Sequence, residues 1–257
     1  MKRVATAIAL IPIVVYVVLW ANFWVFLAVL VAVACLCYRE YDGIAAAYGF
    51  GSPGPMGYAA GLLLLAPIPE AWLWATAVAL IALVLAMREP DLAHSLPGAA
   101  LRLFGILYVF GAWKCALPLR DHMPQGHWLM FALLVNWTGD IGAYYAGRAF
   151  GRHKLAERIS PKKTWEGVVG SLVASSLLAG GYLLRFVPGA TIVEALAITV
   201  AANAAGQLGD LAESAMKRGA GVKDSGTLLP GHGGMLDRVD STLFALPVVY
   251  AYLRLLG

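Results

Sequence analysis

Apolar residues come in long runs along this chain, broken by short polar intervals. The pattern predicts nine helices, at roughly 4–20, 22–38, 55–69, 71–87, 99–118, 127–149, 165–186, 190–215 and 234–256. The third is short and bounded by prolines. Runs of this length read as helices rather than strands, because a helix satisfies its own backbone hydrogen bonds where water is absent. Most approach the roughly 20 residues that cross a bilayer. The expected fold is an all-α, polytopic membrane bundle of about nine transmembrane helices. Residues 1–120 would form N-terminal helices that face lipid or a second copy, and residues 121–257 a C-terminal region holding the polar chemistry.

Composition supports the bilayer. Sixty per cent of residues are apolar and 13% charged, against about 25% charged in a soluble domain, and mean hydropathy is +0.73. One soluble core cannot hide that much apolar surface. The chain opens Met1-Lys2-Arg3 ahead of an apolar run from Val4 to Trp20. A signal peptide also begins this way, but the run is long and a second follows at once, so it reads as a retained first helix. Cys35, Cys37 and Cys115 all lie in apolar runs. An odd count there makes no disulfide framework, and the Cys35–Cys37 pair has no nearby His or acid with which to share a metal.

The net charge of +4 matters through its placement. With the N-terminus inside, nine spans put Lys2, Arg3, Arg39, Arg88, Arg102, Arg148, Arg152, Lys154, Arg158, Lys162, Lys163, Lys217, Arg218, Lys223 and Arg238 on the inner side, 15 of the 19 Lys and Arg. Arg120, Arg185 and Arg254 fall outside, and Lys114 lies within span five. That excess sets the orientation and points to loops facing an anionic leaflet, not to nucleic acid. The N-terminus and the two long late loops, about 150–164 and 216–233, are then cytoplasmic.

Polar chemistry is unevenly spread. The first half offers little beyond Arg39, Glu40 and Asp42, which read as solvated loop charges. In the second half, ionisable residues occur at membrane depth, where they face a cavity or a partner and mark function. Span eight carries Asn203, Gln207, Asp210 and Ser214 on one helical face, with Glu213 one turn from Asp210. Interhelical hydrogen bonds explain Asn203 and Gln207 alone; Asp210 near the cytoplasmic end makes the stripe a candidate site. Asp237 and Asp240 share a face at the start of span nine, where acids also complement the helix dipole. Carboxylates from two adjacent helix ends repel one another, and a divalent cation relieves that repulsion. Hard oxygen ligands with room for water and phosphate suit Mg²⁺.

Between these acids run Lys217, Arg218, Lys223 and Asp224, then Gly231-His232-Gly233-Gly234. Glycines admit phosphate oxygens close to backbone N–H groups, and the start of span nine adds a helix N-terminus that favours anions. A basic loop at an anionic leaflet would explain the lysines, but not the dense interleaving of acids, bases and glycines. His232 would bind a phosphate, cap a helix or be merely exposed. Ser160-Pro161-Lys162-Lys163-Thr164-Trp165-Glu166-Gly167 combines ordinary capping residues with two lysines. Asn136, Asp140 and Tyr144 line one face of span six. There is no Ser-His-Asp order, nucleophile elbow, zinc-ligand cluster or P-loop. Bases for phosphates, acids for a metal and no covalent nucleophile fit phosphoryl or nucleotidyl transfer, which runs on positioning and electrostatics. An ion-coupled transporter relaying through Asp140 and Asp210 leaves the glycine-basic loop unused, and a non-catalytic scaffold leaves the acids unexplained.

The stretch from Ser214 to Asp240, with Lys217, Arg218, Lys223, Asp224, Pro230, His232, Gly233, Gly234, Asp237 and Arg238 at fixed spacings, resembles the signature of phosphatidate cytidylyltransferases, the CDP-diacylglycerol synthases. Ser160–Gly167 and the Asp140–Gly151 region are similar too, so the resemblance covers about residues 136–241; the first half matches only as a run of spans. It implies a nine-helix homodimer in membrane lipid, for a bacterial chain the inner membrane, with CTP and phosphatidic acid as substrates. Asp210 and Asp237 would ligate Mg²⁺, with a second, monovalent cation (K⁺). Asp224, Lys223 and Asp240 would be site residues, and Lys217, Arg218, Lys223 and Arg238 would hold phosphates. Ser160, Lys162, Lys163 and Thr164 would close over nucleotide or lipid phosphate. A related transferase acting on another lipid, an isoprenoid alcohol or an ether lipid, shares these expectations.

Overall fold

A computed structural model of the chain describes residues 2–50, 54–67, 71–88, 91–228 and 233–255. Among these, helix dominates. In chain order the rods are α1 (Lys2–Leu19), α2 (Phe23–Ala47), α3 (Gly54–Leu65), α4 (Ala71–Ala86), α5 (Leu92–Asp121), α6 (His127–Phe150), α7 (Trp165–Phe186), α8 (Ile192–Gly219) and α9 (Leu236–Leu255). Rod α5 opens on a 3₁₀ turn at Leu92–His94 and carries a π-turn at Leu107–Gly111, and α7 carries one at Ser176–Gly180.

Local chemistry sets several boundaries. Asn22 caps α2, accepting from the Val25 N–H at 2.9 Å. Thr191 and Glu194 form a reciprocal box at the start of α8, which leaves fewer orphan amides at that end. Helix α2 does not stop near residue 38: Arg39, Glu40 and Asp42 continue it to Ala47, and Tyr41, Ile44 and Ala45 keep its buried face going. Glu40 is 8% exposed, so it is no solvated loop charge.

Four rods, α2, α5, α7 and α8, are by length and composition long and apolar enough to cross a membrane. Large apolar side chains such as Trp24, Leu80, Val84, Leu177, Leu178, Val193 and Leu208 are exposed on the outside of the bundle. That surface exceeds what a soluble monomer carries, and the chain reads as an integral membrane protein. Rods α6 and α9 are long but less apolar because they carry Asn136, Asp140, Arg148, Asp237, Arg238 and Asp240.

The late interval expected to be plain loop folds instead into a hairpin of β1 (Lys154–Ala156) and β2 (Ser160–Thr164), so the all-α reading needs this small addition. The strands pair antiparallel, Lys154 with Thr164 and Ala156 with Ser160, with an irregularity between. Pro161 lacks an N–H but sits in a two-stranded ribbon with free edges, where it is tolerated. The Trp165 N–H closes the base on the His153 carbonyl at 2.9 Å.

What brings the hairpin over the bundle is a seam of small residues between α6 and α7. A Cβ on Gly142 would strike the Gly170 carbonyl, and one on Gly170 would strike Ala146. Lipid tails are as apolar as leucine, so such helices associate through close backbone packing rather than apolar burial. Below the site, Tyr38, Tyr41, Tyr58, Phe104, Tyr108, Phe110 and Phe244 stack edge-on and offset across α2, α3, α5 and α9. Lys114, inside α5, donates to the Ala66 carbonyl beyond the end of α3. Arg120 is not a solvated outer charge: it is 1% exposed, donates to the Ala21 carbonyl and lies 4.7 Å over the Phe26 ring.

Gly170→Val drives a branched side chain into this seam. Overpacking of this kind costs about 1–3 kcal/mol, so the thermal midpoint in detergent should fall and protease access to residues 152–163 should rise. An unchanged midpoint would show that the seam tolerates bulk.

Candidate active site

The C-terminal half of α6, the start of α7, the last turns of α8 and the hairpin enclose a cavity of about 320 Å³. Asp140, Tyr144, Arg148, Lys162, Lys163, Thr164, Gln207 and Asp210 line it. Lys163 reaches from β2 to Asp210 on α8, Nζ to Oδ2 at 2.7 Å, with the side chains 20% and 33% exposed. The side chains are partly exposed while the ammonium nitrogen itself is shielded. The pair's interest is placement: an ammonium held over a carboxylate at a cavity mouth. Asp210 Oδ1 also accepts from Ser214 at 3.3 Å. A narrow extension continues inward between Asn136, Ser171, Asn203 and Ser241. There Asn203 donates to Ser171 at 2.9 Å and Ser175 at 3.1 Å, the interhelical bonding expected of an amide in a membrane helix.

Thr164 has a structural duty. Its hydroxyl accepts from the Gly167 N–H at 3.1 Å and caps α7. Glu166 accepts from the His153 ring at 2.6 Å and the Arg152 N–H at 3.2 Å, tying the hairpin base to the same helix start. Lys162 is exposed toward the cavity, while Ser160 pairs near the hairpin turn and does not line it.

A second cluster lies at the junction of α8 and α9. Asp237 Oδ1 is 2.5 Å from Lys217 Nζ, and its Oδ2 accepts from the Gly234 N–H at 2.8 Å and the Ser225 N–H at 3.0 Å. The same ammonium bonds Glu213, one turn earlier on α8, whose side chain is 0% exposed. One lysine thus bridges carboxylates from two helices. Glu213 Oε1 finds no partner among the described groups. Asp240, 8% exposed, is within electrostatic reach of Asp210, Glu213 and Asp140, and Asp140 within that of Lys163 and Arg238. Acids outnumber the cations that face them.

The N-terminus of α9 is already filled. Glu40, from α2, accepts from the Met235 N–H at 2.9 Å, the Leu236 N–H at 2.7 Å and the Ser225 hydroxyl at 2.9 Å. The helix end expected to receive a phosphate therefore holds two of the protein's own carboxylates, Glu40 and Asp237. Gly233 takes φ +80°, and a Cβ there would meet Asp237. Gly234 is packed against Glu40 and Ser225.

The remaining expected residues are more open. Lys223, Asp224 and Arg238 are exposed. Arg218 is exposed too and donates to the Val222 carbonyl at 3.3 Å beyond the end of α8. His232 lies outside the described residues. Glu40, Ser225 and Arg148 are not site candidates by sequence pattern, and Glu213 is one only through its spacing from Asp210. The signal for Glu40 was the apolar stripe of α2, which runs past residue 38 through Tyr41 and Ile44.

Among the described residues, no three His, Cys, Asp or Glu converge to hold an ion by themselves. Asp210 and Asp237 stand in separate clusters, each already faced by a lysine ammonium group. Neither is part of an all-protein cage; each offers the hard carboxylate oxygens that Mg²⁺ takes one or two at a time, completing its shell with water and phosphate oxygens.

The sequence profile of the cytidylyltransferase family matches residues 1–256. This chain belongs to that family. Within the family it is 46% identical over 153 residues to the phosphatidate cytidylyltransferase of Staphylococcus saprophyticus, 59% of this chain and 57% of that protein. It is 46% identical over 148 residues to that of Haemophilus influenzae, 55% of this chain and 51% of that protein. Identity to that of Pseudomonas aeruginosa is 40% over 189 residues, 69% of this chain and 66% of that protein. The chain thus spans about half to two thirds of the length of these curated relatives.

Removing Lys217 alone should be severe, because it leaves buried acids uncompensated. Lys217→Met is expected to cost about 3–5 kcal/mol, read as a lower thermal midpoint in detergent. Lys217→Met combined with Glu213→Leu should recover part of that loss. A single variant as stable as the parent would show that the acids are neutralised some other way.

Proposed function

We propose that this chain transfers the cytidylyl group of CTP to phosphatidic acid, giving CDP-diacylglycerol and pyrophosphate. The observation that carries this reading is the Lys163–Asp210 pair at a cavity shared with Lys162, Arg148 and Asp140. It lies beside the buried Lys217–Asp237 junction, in a family whose matched relatives are named for this activity. The whole-chain family match and an apolar bundle surface support a lipid substrate.

In this reading, an oxygen of the lipid phosphate forms a bond to the α-phosphorus of CTP. The bond from that phosphorus to the bridging oxygen breaks, and its electron pair leaves with pyrophosphate. A phosphomonoester is largely ionised at neutral pH, its second pKa being about 6, so no strong general base is required. Lys162, Lys163 and Arg148 would bind and orient phosphates, with Lys163 turning from Asp210 to a phosphate. Asp210 and Asp237 would hold Mg²⁺, with K⁺ as a monovalent companion. When bound, the metal supplies charge neutralisation for the phosphates. Lys217 would hold Asp237 in place, and Asp240, Asp224, Lys223 and Arg238 would border the site.

The proposal extends to nine spans with the N-terminus and site loops in the cytoplasm, in a bacterial inner membrane, and to a homodimer. The placement of Lys and Arg supports the orientation, and the bacterial relatives support the compartment.

Purified protein given radiolabelled CTP, phosphatidic acid and Mg²⁺ should form a labelled liponucleotide that EDTA abolishes. Asp237→Asn should lose CTP incorporation while still inserting and folding; an active, metal-dependent Asn variant would remove the metal assignment. Lys163→Ala should raise the KM for a substrate with little change in thermal midpoint. A change in stability alone would make the hairpin merely structural.

A further inference from the structure

Glu40 does not line the cavity, yet it is among the most heavily engaged carboxylates of the described residues. Its two oxygens accept from Met235, Leu236 and Ser225. Ser225 then faces Asp237 in both directions: its N–H donates to Asp237 Oδ2 at 3.0 Å, and its hydroxyl accepts from the Asp237 N–H at 3.3 Å. A chain of hydrogen bonds therefore runs from α2 through Ser225 to Asp237.

The contact leaves little slack. A Cβ on Gly226 would lie 2.7 Å from Glu40 Oε1, and one on Gly234 would collide with Oε2. Helix α2 is itself held from both sides: Tyr48 donates to the Met216 carbonyl on α8 at 2.9 Å, and Tyr41 to the Leu101 carbonyl on α5 at 2.8 Å. The geometry needs two acceptor oxygens, since adjacent amides at the start of α9 take one each. The acid also matches the positive end of the α9 dipole.

We infer that Glu40 is a positioning residue for the transfer reaction: from the N-terminal half of the chain it fixes Ser225, Met235 and Leu236 and so sets where Asp237 stands. Because it fills the start of α9, substrate phosphates are directed to the Lys162, Lys163 and Arg148 side of the site. This inference rests on the transferase reading for its kinetic consequence but not for its structural one.

The test uses the full chain in detergent with phosphatidic acid. Glu40→Gln keeps the shape and removes one acceptor and the charge. Its kcat should fall by about tenfold to a hundredfold, with the KM for CTP held within about twofold, as expected when a transition-state arrangement rather than binding is lost. Ser225→Ala should lose kcat less, and the double variant should be no worse than Glu40→Gln alone, since both act on one network. Hydrogen exchange in peptides covering 225–240 should quicken in Glu40→Gln. Unchanged kcat, a rise in KM alone, additive losses or unchanged exchange would each overturn the assignment. If the parent protein makes no CDP-lipid, the transferase reading fails, while the exchange measurement still decides whether Glu40 positions Asp237.

Discussion

One ammonium group organises this site. Lys217 stands between Glu213 on α8 and Asp237 on α9, and without a cation there the two helix ends would carry facing, dehydrated acids. With it, α8 and α9 can close, and Asp237 can turn its second oxygen to the Ser225 and Gly234 amides. Ser225 and Gly234, from either side of the connection between the helices, are then held on Asp237. Glu40 meets Ser225 and Met235 from its own side, so acids from three helices meet in one polar junction.

Two lysine–carboxylate pairs, chemically alike, are placed for different work by their exposure. Lys217 is 9% exposed and its partners less, so separating them means leaving charge in a poorly solvated place. Lys163 and Asp210 are 20% and 33% exposed and line the cavity, although the Lys163 ammonium nitrogen itself is shielded from solvent. The first pair holds architecture; the second faces the cavity.

Much of this was legible in the chain. The long apolar runs located the rods, and the polar stripe of Asn203, Gln207 and Asp210 does turn toward Asn136 and Asp140 on α6. The hairpin was missed because Lys154–Thr164 is too short and too polar to show strand alternation, and it forms only where Glu166 and Trp165 anchor its base. Glu40 was missed because a charged trio after an apolar run looks like the end of a span. Its partners lie far along the chain, and no local pattern announces an acid that caps a distant helix. The reading of the α9 start as a phosphate seat followed from correct helix physics, but the anion that takes it comes from inside the protein.

The order of synthesis gives the Glu40 contact a further meaning. Glu40 is made near the beginning of the chain, and Met235 and Leu236 near its end. Until the final helix is made, that carboxylate has no Met235 or Leu236 amide to accept from. Docking of α9 is what completes its burial, so a chain cut before α9 leaves that acid without these partners.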